Sequence, residues 1–166
     1  MLTTTIKTMA SVALMTAAIT SFAGNLTVNK EITVNASPET TWKMIGDFNH
    51  LDVWHPVVVA SELTKGHDNK KGAVRLLTLG NGASITETLV ASSAKEHRYT
   101  YAITQSPLPV ADYVTTISVT AGKDGTSIVS WGSSFDANGA TDQEAVDTIA
   151  GIYDAGLSNL DKHFNK

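Results

Sequence analysis

Thr141-Asp142-Gln143-Glu144-Ala145-Val146-Asp147-Thr148-Ile149-Ala150-Gly151-Ile152-Tyr153-Asp154-Ala155-Gly156-Leu157-Ser158-Asn159-Leu160 is the stretch that decides how this chain folds. Thr141 and Glu144 form a capping-box pattern, in which each side chain satisfies a free backbone donor at the start of a helix. From there Val146, Ile149, Tyr153, Leu157, Leu160 and Phe164 recur three or four residues apart and make one apolar stripe. Lys162 and Lys166 follow at the C-terminal end, where the helix dipole favours positive charge. Gly151 and Gly156 lie inside this helix, and each costs roughly 1 kcal/mol relative to alanine. The expected reason is a cavity beneath the helix, where a missing Cβ lets the backbone bend or approach a ligand.

The apolar stripe needs a broad partner, and the residues before it supply strands. Residues 26–34 alternate apolar and polar side chains, the period of a half-buried strand. Ser37 followed by Pro38 is an N-cap with a first-turn proline, and Trp42, Ile45 and Phe48 continue at helical spacing. Residues 49–56 have no clean period and end on Pro56, which biases His55 away from the helical region, so a second short helix or turn is expected there. Residues 57–63, 73–79, 83–91, 98–104, 113–120 and 127–135 read as six further strands. The predicted order is strand, two short helices, six strands and a long helix. That is an α+β architecture, one antiparallel sheet with a long helix on its concave face.

Two hairpins specify what points inward. Centring the Leu79-Gly80-Asn81-Gly82-Ala83 turn on Asn81 sets Leu77 opposite Ile85 and Arg75 opposite Glu87. An opposite-charge pair then lies on an otherwise apolar face. It is either a cross-strand ion pair at the rim or a pair projecting into a partly desolvated cavity, where it would orient a polar ligand group. In the second hairpin a three-residue loop, Lys123-Asp124-Gly125 with Gly125 left-handed, sets Trp131 opposite Ile117 and Val129 opposite Val119. This register keeps the large apolar residues on one face, together with Tyr113, Phe135 and Ser133. With Trp54, Tyr99, Tyr101 and Tyr153, the inward positions are rich in aromatic rings with polar tips, and each tip needs a partner when buried.

Composition narrows the setting. Residues 1–23 carry Lys7 as their one charge, an apolar core at residues 9–19 too short to span a bilayer, and the small-residue cleavage pattern Ser21-Phe22-Ala23. They read as a cleaved signal peptide that exports one domain, residues 24–166, to the periplasm or the exterior. Removing Lys7 leaves 11 basic residues against 16 acidic ones, so the mature charge is −5. That balance argues against nucleic acid or an anionic membrane surface as the main partner. The chain has no cysteine, so its core must hold it without disulfides, and a bacterial lipid anchor is excluded.

No nucleophile-elbow, phosphate-loop or zincin motif occurs. His50 and His55, five apart in an aperiodic segment, offer no regular ligand spacing, so neither metal nor cofactor is expected. An enzymatic reading would use Glu87 or His55 as a general base on a bound carbonyl compound, with tyrosines polarising its oxygen. One acid, one arginine and several tyrosines equally describe a binding pocket.

The order of elements, the Trp54-His55-Pro56 segment, the Arg75/Glu87 hairpin, Leu108-Pro109-Val110 leading into Tyr113, the Trp131 strand and the Gly151-Ile152-Tyr153 helix resemble the START-like, Bet v 1-like (SRPBCC) superfamily. Within it the chain is most similar to the bacterial polyketide cyclase/dehydrase-like branch and to its exported MxaD-like members, accessory factors of periplasmic methanol oxidation. The resemblance implies a helix-grip fold: a seven-stranded antiparallel curved sheet around a long C-terminal helix, two short helices after strand one, and an internal cavity. The cavity positions it implies are Trp54, Arg75, Glu87, Tyr101, Tyr113, Trp131 and Tyr153. Three functions are compatible: binding of a small hydrophobic or amphipathic ligand, assistance to a periplasmic dehydrogenase or its cytochrome, and a cyclase- or dehydratase-like reaction.

Overall fold

The computed structural model describes residues 24–166, and the expected signal peptide lies outside the described residues. Its elements are β1 (Leu26–Val34), α1 (Pro38–Ile45), α2 (Leu51–Trp54), β2 (Val58–Lys65), β3 (Val74–Leu79), β4 (Ser84–Ser93), β5 (Arg98–Gln105), β6 (Val110–Ala121), β7 (Ser127–Ala137) and α3 (Asp142–Phe164). The seven strands form one antiparallel sheet in the order β1-β7-β6-β5-β4-β3-β2. This is the helix-grip fold, with two short helices after the first strand. Among the described residues no helix is long and apolar enough to cross a membrane.

Local rules place most of these elements. Ser37 caps α1 by accepting from the Thr40 backbone, and Pro38 follows in its first turn. Thr141 and Glu144 close the full capping box at α3. Both hairpin registers are observed as expected, with Arg75 opposite Glu87, Leu77 opposite Ile85, Ile117 opposite Trp131 and Val119 opposite Val129. The Lys123–Gly125 loop needs two left-handed residues, Asp124 at φ 52° and Gly125 at φ 82°. Strand β6 starts at Val110, earlier than expected, because its pairing with β7 jumps register between Ala111 and Val114 and then resumes. Asp112 takes φ 50° inside that jump, and the break bends the strand around the helix.

Strand alternation then builds the core. Ser127, Val129, Trp131, Ser133 and Phe135 of β7 point inward, as do Tyr113, Thr115, Ile117 and Val119 of β6. Helix α3 meets them with Ala145, Ile149, Tyr153, Gly156, Leu157 and Leu160. Full burial of each large aliphatic chain among these stabilises by about 1.5–3 kcal/mol.

The two helix glycines have different surroundings, and neither touches a space for ligand. A Cβ at Gly156 would stand 2.6 Å from His55 Cδ2 and 3.0 Å from Trp131 Cζ3, so this glycine makes room for side chains packed under the helix. Gly151 is exposed, and a Cβ there would meet nothing within 4 Å. Gly156→Ala is therefore expected to destabilise the protein by about 1–3 kcal/mol through overpacking, whereas Gly151→Ala should stabilise it by about 0.5–1 kcal/mol through helix propensity. Urea unfolding of the two variants checks this, and equal shifts would refute the difference in environment.

Candidate functional site

The seven expected cavity residues come from seven elements and converge in the interior: Trp54 from α2, Arg75 from β3, Glu87 from β4, Tyr101 from β5, Tyr113 from β6, Trp131 from β7, and Tyr153 from α3. All are buried. Most of the space between helix and sheet is filled by their rings. Trp131 stacks on Tyr153 at 4.2 Å between centroids, and Trp54 meets Trp131 edge-on at 5.4 Å. What remains is a cavity of about 60 Å³ bounded by Glu87, Tyr101, Tyr113, Trp131 and Tyr153 with an apolar majority of leucine, isoleucine and valine. Pockets for drug-sized ligands run to about 300–1,000 Å³, so the cavity is much smaller than a lipid or polyketide would need. Trp54 and Arg75 stand behind its wall and do not line it.

Arg75 is the centre of the polar wall. It is 0% exposed, and its Nε donates to Glu87 Oε2 at 2.7 Å while Nη2 lies 2.6 Å from the same oxygen. Nη1 donates to the Phe48 carbonyl. The guanidinium lies over the Phe48 ring at 4.2 Å and the Tyr101 ring at 4.9 Å, an arrangement open to a planar cation. Of the two positions open to this pair, the rim is excluded. Burial works against the charge of Arg75, but the Glu87 carboxylate and the Tyr99 and Tyr101 hydroxyls offset it and hold its pKa above the ordinary value. For Glu87, burial pushes the carboxyl pKa up, with Arg75 opposing.

A chain of hydroxyls runs from the cavity into the sheet. Thr115 Oγ1 donates to the Gly132 carbonyl at 2.8 Å, so it must accept from Tyr153, 2.8 Å away. Tyr153 in turn accepts from Tyr113 at 2.5 Å. Each hydrogen is thereby committed in one direction, and the Tyr113 oxygen keeps lone pairs only. Burial pushes the Tyr153 and Tyr99 phenols up to about 12 and raises Tyr101 and Tyr113 well above the ordinary phenol value. All four are neutral donors or acceptors near pH 7.

His55, which the sequence offers only as a base or a metal ligand, is a strut in the structure. It is buried, and Nε2 donates to the Ile152 carbonyl of α3 at 2.9 Å, while Asn159 Nδ2 donates to the Trp54 carbonyl at 3.0 Å. Together they clamp α2 to α3. A carbonyl can only accept, so Nε2 carries the hydrogen and Nδ1, which has no partner, is bare. The available signal was a glycine on the apolar stripe of α3, which marks a close approach from another element. His50 has a different partner, with Nδ1 2.7 Å from Asp47 Oδ2. Asp47, His50 and Asp68 bring ligand atoms within 4.8 Å of one another near the surface, where Asp47 and His50 already satisfy each other.

The sequence profile of the polyketide cyclase/dehydrase and lipid transport family matches residues 25–165. The chain belongs to that family. XoxI from Bacillus cereus is 37% identical, with a TM-score of 0.79 over 84% of this chain and 96% of its own. A protein from Bacillus thuringiensis is 36% identical, with a TM-score of 0.79 over 85% of this chain and 100% of its own. One from Nitrosospira multiformis is 28% identical, with a TM-score of 0.74 over 84% and 96%. No curated protein sequence matches. For a family that includes cyclases, the cavity chemistry is sparse. Its lining has no serine, cysteine or lysine, its tyrosines do not ionise near neutrality, and one oxygen of its carboxylate is held by arginine.

Two expected outcomes follow. Arg75→Met should cost about 3–5 kcal/mol by leaving Glu87 buried without its partner, and Arg75→Met with Glu87→Leu should recover most of the loss; urea unfolding of both variants is the check. Burial lowers the His55 pKa below its ordinary 6.5, while its bond to Ile152 opposes this and the Arg75 charge assists. Unfolded chains then bind the proton more tightly. The stability His55 contributes is present above pH 6.5 and is lost as the pH falls through the folded value. The melting temperature of the wild type should therefore fall more steeply on acidification below pH 6.5 than that of His55→Gln, and parallel profiles would refute it.

Proposed function

We propose that this chain is an exported, non-catalytic accessory protein of an alcohol dehydrogenase system, working through a surface at the mouth of its cavity. The observation that carries the reading is a run of exposed valines, Val53 (60%), Val57 (41%) and Val59 (60%), the exposed large apolar side chains among the described residues. They follow one another along α2 and the start of β2, the terminal strand of the sheet, and Val57 also lines the cavity. Apolar groups clustered in one place on a soluble domain mark an interaction site. The likeness to XoxI and the resemblance to exported MxaD-like factors support the choice of partner. A lining without a nucleophile weighs against the cyclase or dehydratase reading.

A second reading, binding of a small ligand in the cavity, is favoured by one detail. Glu87 lines the cavity with Oε2 held by Arg75, and among the described residues no hydrogen bond reaches its Oε1. The cavity volume restricts this reading to small molecules.

The accessory reading is tested by calorimetric titration of the exported protein into the alcohol dehydrogenase and the c-type cytochrome of the same organism. A saturable complex is expected, weakened tenfold or more, about 1.4 kcal/mol, by Val53→Asp with Val59→Asp. Absence of binding to both proteins, or a complex indifferent to the double variant, refutes it.

A further inference from the structure

We infer that the cavity takes a small neutral hydroxyl compound, a short-chain alcohol, whose O–H donates to Glu87 Oε1 and whose alkyl tail lies against Ile85, Ile149 and Ile152. The inference rests on the ligand-binding reading above and follows from the hydrogen-bonding capacity of the wall. Glu87 offers a carboxylate oxygen to which no hydrogen bond is made among the described residues. Tyr113 has already given its hydrogen to Tyr153, so only its lone pairs remain. His55 has spent its N–H on Ile152, and its Nδ1 is bare. Three of the lining residues therefore can only accept. The donors on the wall are the Tyr101 hydroxyl and the Trp131 Nε1–H, the latter without a partner among the described residues.

The chemical classes of small ligand separate on this wall. A carboxylate brings more acceptors and a negative charge against Glu87. A ketone or ester leaves the three acceptors unanswered, each a buried polar group without a partner. An ammonium answers them, but Arg75 already neutralises Glu87 from behind the wall, so the cation would be buried without a counter-charge. A hydroxyl both donates and accepts and carries no charge. It can satisfy Glu87 while accepting from Tyr101 or Trp131. A cavity of about 60 Å³ holds only a few heavy atoms, which limits the tail to a short chain.

The test is a titration of the exported protein, labelled with nitrogen-15, by propan-1-ol, propanoate and propylamine, following the indole N–H signals. Propan-1-ol should move the Trp131 signal saturably with millimolar affinity, the range open to a ligand of a few heavy atoms. Trp42, which stacks on His97 and does not line the cavity, should stay in place. Propanoate and propylamine should bind at least tenfold more weakly. Glu87→Gln should reduce the alcohol response. Because that change disturbs Arg75, Ile152→Trp at the partly exposed mouth is the second variant, and it should abolish the response with the fold intact. If propanoate or propylamine matches propan-1-ol at Trp131, the hydroxyl inference falls and the ligand-binding reading stands. If no probe moves Trp131, or if the response survives Ile152→Trp, both fall.

Discussion

A guanidinium withdrawn entirely from water sets the terms for the rest of this structure. Arg75 cannot be buried unless its charge is answered, and the answers come from separate places: a carboxylate on the adjacent strand, a carbonyl between α1 and α2, and the faces of two aromatic rings. The same contacts tie the short helices to the sheet and turn Glu87 so that one oxygen is engaged and the other is free. Replacing such a pair by apolar side chains is often neutral or favourable. What the pair contributes here is orientation of a carboxylate at the cavity wall.

The fold was legible in the sequence wherever its determinants are local. A turn centred on Asn81 sets the Arg75–Glu87 register, a three-residue loop sets the position of Trp131, and the capping box sets the start of α3. Each depends on a few neighbouring residues and on the two-residue period of a strand. The inward direction of the seven side chains was legible, and all seven are buried, but five of them line the cavity while Trp54 and Arg75 stand behind it. The size of the space between them was not legible, because it depends on how rings from β6, β7 and α3 stack, and that is decided by packing across the whole domain.

The helix glycines show the same limit. A glycine on an apolar stripe says only that something comes close, and ligand and side chain are equal candidates from sequence. Here the visitor at Gly156 is His55. It arrives from α2 and hydrogen-bonds to the α3 backbone, so the glycine, the histidine and the carbonyl of Ile152 form one joint between two helices. An accessory role that works through the exposed valines of the same region would act beside a rigid hinge point, with the cavity immediately inside it.

The strand order has a kinetic consequence. Strand β1 pairs with β7, so Leu26 lies beside Phe135, and α3 packs against β1 as well. Long-range pairings of this kind pay their loop-closure entropy before they gain contacts, which places such domains among the slower single-domain folders. A chain emerging from its N-terminus must hold its first strand unpaired until nearly all of it has appeared.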